Sequence, residues 1–181
     1  MHRGAVVHEM YRDGTQRHTP HFNASAAKSY IGLTVATLVH QGLLDRSARA
    51  SAHIPELAWN RLRRRHDRGP AAQTDRPGSE FRYENGNVET LAEILRRITG
   101  LTTSALLSDM VWSKTGAEED AYYVLDGDGV EVACGGFSAT ARDVARLGEL
   151  LRHGGAVGDR QRFRVCGWRA VAITRGGLRG P

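Results

Sequence analysis

Apolar positions along the chain follow two periods, one near two residues and one near three and a half. Ala5-Val6-Val7-His8-Glu9-Met10-Tyr11 reads as a strand, with Asp13-Gly14 as the turn behind it. From about Ser25 to Gly42 the spacing becomes helical, with Tyr30, Leu33, Leu38 and Val39 among the apolar positions and Gly42 as the stop. Residues 61–79 are rich in Arg, Pro and Gly without periodicity and read as a loop or linker. A second helix is expected over 88–99, capped by Asn87, with Val88, Leu91, Leu95 and Ile98 on one face and Gly100 ending it. A third is expected at about 103–114. A hairpin should follow, Tyr122–Leu125 and Val130–Ala133 joined by Asp126-Gly127-Asp128-Gly129. The last helix spans 140–153: Thr140 and Asp143 suit a capping box, and Val144, Leu147 and Leu151 share a face. This mixture predicts an α+β or α/β fold with no internal repeat.

Length and composition narrow the class. The chain has 181 residues, 40% of them apolar and 25% charged, which fits one ordinary folded domain or a small pair and argues against wholesale disorder. No apolar run reaches the ~18 residues of a membrane span, and Met1-His2-Arg3-Gly4 is not followed by an apolar signal segment. Cys134 and Cys166 make neither a disulfide scaffold nor a zinc site. The expectation is a soluble, cytoplasmic protein.

Charge is unevenly placed. Of the 25 basic residues only Lys28 and Lys114 are lysines. Residues 158–181 hold six arginines against one acid, Asp159, so the net charge of +5 belongs to the tail and the body is neutral. A body without excess positive charge predicts no specific nucleic-acid partner. The run Arg61, Arg63, Arg64 and Arg65 reads as a solvated face.

Two short motifs carry possible chemistry. In Ser25-Ala26-Ala27-Lys28 the serine and lysine fall on one helix face, one turn apart. A serine hydroxyl is a weak nucleophile until a base takes its proton, and burial favours the neutral amine that such a base must be. In Tyr83-Glu84-Asn85 a phenol beside a lysine ionises more easily and relays a proton, while the asparagine can orient an amide.

In this order the motifs resemble the serine β-lactamase and penicillin-binding protein superfamily, whose signature is Ser-x-x-Lys followed by Tyr-x-Asn. The surrounding residues are similar to its 6-aminohexanoate-dimer hydrolase and esterase-like branch. They include Ala27-Lys28-Ser29-Tyr30-Ile31-Gly32 ahead of Gly42-Leu43-Leu44-Asp45, Ile54-Pro55-Glu56-Leu57, Phe81-Arg82-Tyr83, Val111-Trp112 and Gly135-Gly136-Phe137-Ser138-Ala139-Thr140. The similarity runs from residue 5 to residue 157.

The resemblance implies an α/β, β-lactamase-like serine hydrolase fold, with helices packed on an antiparallel sheet, incomplete and lacking C-terminal strands. Residues 1–157 would be the truncated hydrolase domain, 61–79 a shortened linker, and 158–181 an Arg-rich tail that does not match. Ser25 would be the acyl-forming nucleophile, Lys28 its base, Tyr83 the proton relay to the leaving group, and Asn85 a substrate contact. The implied partner is a small linear amide or ester, with no metal or cofactor. A penicillin-recognising β-lactamase or D-alanyl-D-alanine carboxypeptidase-like enzyme is one alternative, and a non-catalytic remnant or binding module another; the oligomeric state is left open.

Other signals resolve into local structure. The superfamily's third motif is of the Lys-Thr-Gly type; Lys114-Thr115-Gly116 has those letters but ends a predicted helix, where lysine and glycine are ordinary C-terminal residues. The absent C-terminal strands would carry the true motif and one of two oxyanion N–H donors, the other being that of Ser25. Losing one donor costs ~10²–10³ in rate, so weakened or lost activity is expected. Gly136-Phe137-Ser138-Ala139-Thr140 lacks the final glycine of a nucleophile elbow, leaving Ser138 as a helix-capping residue. Asp126-Gly127-Asp128-Gly129 lacks the acid that would close a calcium loop. His18 and His21 have no partner pair at ligand spacing.

Overall fold

A computed structural model describes residues 4–59, 83–157 and 160–161. The 61–79 segment, the Arg61–Arg65 run and most of the tail lie outside the described residues. The core is built around α1 (Ala27–His40), which buries Ala27, Tyr30, Ile31, Leu33 and Leu38. Its two buried threonines satisfy themselves within the helix: Thr34 and Thr37 donate to the carbonyls one turn back, Tyr30 O and Leu33 O. The C-terminus closes at Gly42, whose φ of +73° is the left-handed stop expected from the sequence. A short helix α2 (Ala50–His53) and a 3-10 turn (Pro55–Trp59) follow.

Against α1 pack α3 (Asn85–Thr99) and α4 (Thr103–Met110). α3 begins three residues before the expected start, with Glu84 rather than Asn87 at the N-cap. Asn85-Gly86-Asn87 contribute no apolar position, so hydrophobic periodicity cannot register that first turn. Its end is as expected, with Gly100 at φ +70°. α4 is capped by Thr102, whose hydroxyl accepts from the Ala105 N–H. It does not run to 114: Val111 breaks the helical geometry at φ −127°, and Trp112–Lys114 form a separate 3-10 turn.

The sheet has three antiparallel strands in the order β1-β3-β2, formed by β1 (Pro20–Phe22), β2 (Tyr122–Tyr123) and β3 (Phe137–Thr140). His21 pairs with Ala139 and Tyr123 with Phe137. The expected strand at 5–11 is not formed; that segment carries only an isolated bridge at Ala5, and Val6, Val7 and Met10 are exposed. The pairing falls instead on Pro20–Phe22, too short for an alternation signal but suited to an edge, where a leading proline owes the ladder no N–H. The hairpin turn forms as expected, with the Asp126 carboxylate accepting from the N–H groups of Asp128 and Val130. Its second arm contributes the isolated Leu125–Glu131 bridge and a Val132–Val124 bond rather than a strand. Ser138 lies within β3 and caps nothing; Thr140 is the cap of α5 (Ala141–Arg152). Arg160–Gln161 pairs back on Ala156–Val157 as a two-residue ladder.

Fully buried Asp143 ties α5 to the rest. Burial alone would raise its pKa, but the Glu118 N–H, the Thr140 hydroxyl, Arg146 and the Glu119 N–H hold it below the ordinary carboxylate range. This differs from a simple capping box: Thr140 and Asp143 bond through hydroxyl and carboxylate, and Thr140 Oγ1 also accepts from the Asp143 N–H.

Candidate active site

Ser25 sits in the middle of a single 3-10 turn, Ala24–Ala26, immediately ahead of α1. The turn is clamped from both sides. On one side the Asn23 N–H donates to the Phe137 carbonyl, extending the β1–β3 pairing by one bond. On the other, the Tyr30 hydroxyl donates to Asn23 Oδ1 at 3.4 Å from the first turns of α1. Tyr30 is packed on Phe137, ring centroids 4.3 Å apart, and burial pushes its phenol up to about 12, so it remains a neutral donor. Between these anchors Ala24 is forced to φ +45°, a left-handed conformation that costs a non-glycine residue ~1–2 kcal/mol. The Ser25 hydroxyl is thereby exposed at the head of a buried helix.

One turn along, half-buried Lys28 aims its Nζ at the serine, donating to Ser25 Oγ at 3.1 Å. It also donates to the Cys134 carbonyl at 2.6 Å. Tyr83 completes the cluster from the segment leading into α3. Lys28 Nζ lies 4.9 Å from its ring centroid. Hydrogen bonds with Ser25 and then with Lys28 hold the Tyr83 phenol below the ordinary tyrosine range. Ser25, Lys28 and Tyr83 are thus in mutual contact although residues 25 and 83 are far apart in sequence. Asn85 is not drawn in: it stands exposed in the first turn of α3, and among the described residues no hydrogen bond ties it to the other three.

Cys134 is the member that the sequence did not announce. It contributes a main-chain carbonyl, which any residue can offer, and its N–H donates to Glu89 Oε1 at 2.8 Å. Burial, then a hydrogen bond to Glu89, raises its thiol above the ordinary range. The one usable signal was the pair Gly135-Gly136 behind it, since adjacent glycines mark a close backbone approach. Lys114 lies at the end of its 3-10 turn and donates to the Met110 carbonyl, with Gly116 at φ +73° just beyond, so Lys114-Thr115-Gly116 terminates a helix. His21 is a β1 residue. Among the described residues no group of three His, Cys, Asp or Glu side chains converges to hold a metal ion, and no helix is long and apolar enough to cross a membrane.

No family model matches the chain. The fold is nonetheless that of the serine β-lactamase and penicillin-binding protein superfamily. A Bacteroides dorei protein assigned as a β-lactamase superposes with a TM-score of 0.73 at 16% identity, covering 93% of this chain and 61% of that one. Sequence similarity reaches further within that fold, to 6-aminohexanoate-dimer hydrolases. The Paenarthrobacter ureafaciens 6-aminohexanoate-dimer hydrolase is 29% identical over 96% of this chain and 55% of its own length. A Bacillus anthracis structure assigned to the same hydrolases has a TM-score of 0.77 and 30% identity, covering 91% of this chain and 55% of that one. The chain therefore spans about half the length of the 6-aminohexanoate-dimer hydrolases it matches.

Proposed function

We propose that this chain carries the nucleophile side of a serine hydrolase that cleaves a linear amide or ester, in the manner of a 6-aminohexanoate-dimer hydrolase. The observation that supports this reading most directly is the Lys28 Nζ–Ser25 Oγ contact of 3.1 Å, with the same nitrogen 4.9 Å from the centre of the Tyr83 ring. In the reacting state Lys28 is the free amine and takes the proton from Ser25 as Oγ bonds to the substrate carbonyl carbon. Collapse of the tetrahedral intermediate breaks the bond to the leaving amine or alcohol, which receives its proton through Tyr83. Water then attacks the Ser25 ester, giving its proton to the same relay and releasing the acid. Ser25 N–H supplies one oxyanion donor; the second, in this reading, belongs to sequence that the chain's match to its longer relatives does not span, so turnover by the 181 residues alone is weak or absent. In this reading Asn85, exposed at the start of α3, is a substrate contact outside the proton path.

The test is covalent. A fluorophosphonate probe should label the chain once, peptide mapping should find the adduct on Ser25, and Ser25→Ala should abolish it. Labelling elsewhere, or none in the folded chain, would count against the nucleophile and favour a non-catalytic binding module. The similarity of fold to a β-lactamase supports a second reading, penicillin recognition, which labelling of Ser25 by a fluorescent penicillin would favour over a linear-amide hydrolase.

A further inference from the structure

Glu89 has no role in the proton path, yet it is bonded to the loop that holds Lys28. It stands on α3, and its Oε1 accepts from the Cys134 N–H at 2.8 Å. The carbonyl of that same Cys134 accepts from Lys28 at 2.6 Å. The loop has little room to shift on its far side. A Cβ on Gly136 would lie 2.8 Å from the Val132 carbonyl oxygen and 3.2 Å from that of Val124. A Cβ on Gly135 would lie 3.9 Å from the backbone of Ala24, the residue before Ser25. The Gly135 and Gly136 N–H groups donate to the Val132 carbonyl at 3.4 and 2.7 Å, and the carboxylate on α3 holds the N–H on the other side of Cys134.

We infer that Glu89 is a positioning residue for the Ser25–Lys28 pair: by holding the Cys134 N–H it anchors the backbone of the residue whose carbonyl meets the lysine amine. The inference rests on the reading of Ser25 as nucleophile and Lys28 as its base. A lysine amine on a four-carbon stem has many rotamers, and a fixed acceptor on the side away from the serine narrows them to the one that touches Oγ. Without Glu89 the Cys134 N–H loses its acceptor, the backbone on either side of the Cys134 Cα is freer to rotate, and the amine's second anchor is held less firmly.

Two substitutions in the full chain separate the hydrogen bond from the bulk of the side chain. Glu89→Gln keeps an acceptor oxygen. Glu89→Met keeps length and helix propensity without one, and Glu89→Ala is a second acceptor-free variant should the methionine melt early. Three quantities are read: the rate of Ser25 labelling by a fluorophosphonate, the titration of the Tyr83 Cζ carbon-13 resonance, and the melting temperature. Glu89→Gln should label within about threefold of the parent and leave the Tyr83 titration in place. Glu89→Met should label on the order of tenfold to a hundredfold more slowly, the scale set by misplacing a reacting group. Its Tyr83 resonance should titrate nearer to a free tyrosine, because the lysine has moved away. Parental labelling and an unmoved Tyr83 titration in Glu89→Met would overturn the inference, as would equal losses in Met and Gln. If the parent is not labelled at Ser25 but Tyr83 shifts in Met alone, the nucleophile reading fails while the positioning of Lys28 stands.

Discussion

Lys28 is held more closely by the backbone of Cys134 than by the serine it faces: 2.6 Å to the carbonyl against 3.1 Å to Ser25 Oγ. A lysine reaching for one hydroxyl from an exposed turn would sample several rotamers. Here the amine lies between an acceptor on the loop ahead of β3 and the hydroxyl ahead of α1, with the Tyr83 ring beside it. Sheet, central helix and the lead-in to α3 therefore meet at one nitrogen. In the reading proposed above, Lys28 serves as the base rather than only as a positive charge.

That dependence sets the first prediction. Lys28→Arg preserves a cation and donors to Cys134 but cannot act as a base, because a guanidinium is not deprotonated in proteins. Ser25 labelling should fall by about 10²–10⁴, the usual contribution of a positioned base, and Lys28→Met should fall as far. Arginine labelling close to the parent rate would mean that Lys28 acts only through its charge.

The strained residue beside Ser25 gives the second. Ala24 is held at φ +45° by the anchoring of Asn23, and glycine adopts that conformation freely. Ala24→Gly should raise stability by about 0.5–1 kcal/mol, the left-handed penalty less the added entropy of the unfolded chain. Ala24→Val should lower it, since a β-branched residue at positive φ is a steric outlier. Chemical denaturation of the three proteins measures both signs.

The third concerns the motif that reads like a catalytic one and is not bonded like one. Lys114 donates to Met110 O at the end of its turn. Lys114→Ala should leave the rate of Ser25 labelling unchanged while lowering the melting temperature by a degree or two at most, the scale of one half-buried helix-end contact. Loss of labelling with folding intact would restore Lys114-Thr115-Gly116 as a functional motif.

Much of this was legible in the sequence, and what was not has physical causes. The Ser25–Lys28 spacing is a local property of a helix and could be read directly, as could the Gly42 and Gly100 stops and the Asp126 turn. The approach of Tyr83 followed from resemblance, because no periodicity in the chain states that residues 25 and 83 meet. β1 was missed because three residues beginning with proline show no alternation. The strand expected at 5–11 failed for another reason: Ala5-Val6-Val7 and Met10-Tyr11 are apolar runs without alternation, and the segment is tied to α5 by a Glu9–Arg142 ion pair rather than built into the sheet. The Cys134 carbonyl and its tie to Glu89 were invisible, since main-chain acceptors carry no residue identity.

That ion pair predicts an acid limb. Arg142, hydrogen-bonded to Glu9, with Tyr11 adding a second bond, lowers the Glu9 carboxyl from an ordinary 4.5 to about 2. A carboxyl with a folded-state pKa below its unfolded one stabilises the fold fully above the unfolded value and loses that contribution as pH falls through the folded one. The Glu9 contribution should therefore be complete above pH 4.5 and disappear as pH drops toward 2. Thermal melts at pH 6 and pH 3 should differ less in Glu9→Gln than in the parent, with the gap closing from the high-pH side. An equal gap in both would show that the pair does not persist in solution.

The last prediction addresses turnover. In the proposed reading the nucleophile, base and relay form an acyl-enzyme slowly, because each lowers the barrier to attack at the carbonyl. They do not suffice for rapid hydrolysis, because the negative charge that develops on the carbonyl oxygen needs fixed donors, and the loss of one costs ~10²–10³. The chain spans 55% of the Paenarthrobacter ureafaciens hydrolase it resembles, and in our reading the second donor comes from the part of such a relative that the match does not span. The decisive comparison pairs the 181-residue chain with a fusion in which residues 158–181 are replaced by the C-terminal region of a longer 6-aminohexanoate-dimer hydrolase. Both are assayed with p-nitrophenyl butyrate and a linear 6-aminohexanoate dimer, each against its own Ser25→Ala blank. The fusion should gain Ser25-dependent hydrolysis, while the shorter chain should label with the fluorophosphonate yet match its blank in turnover. Ser25-dependent hydrolysis by the shorter chain at the rate of the fusion would show that its own residues complete the oxyanion site. Absence of both labelling and turnover in two folded proteins would leave the geometry around Ser25 as that of a binding module.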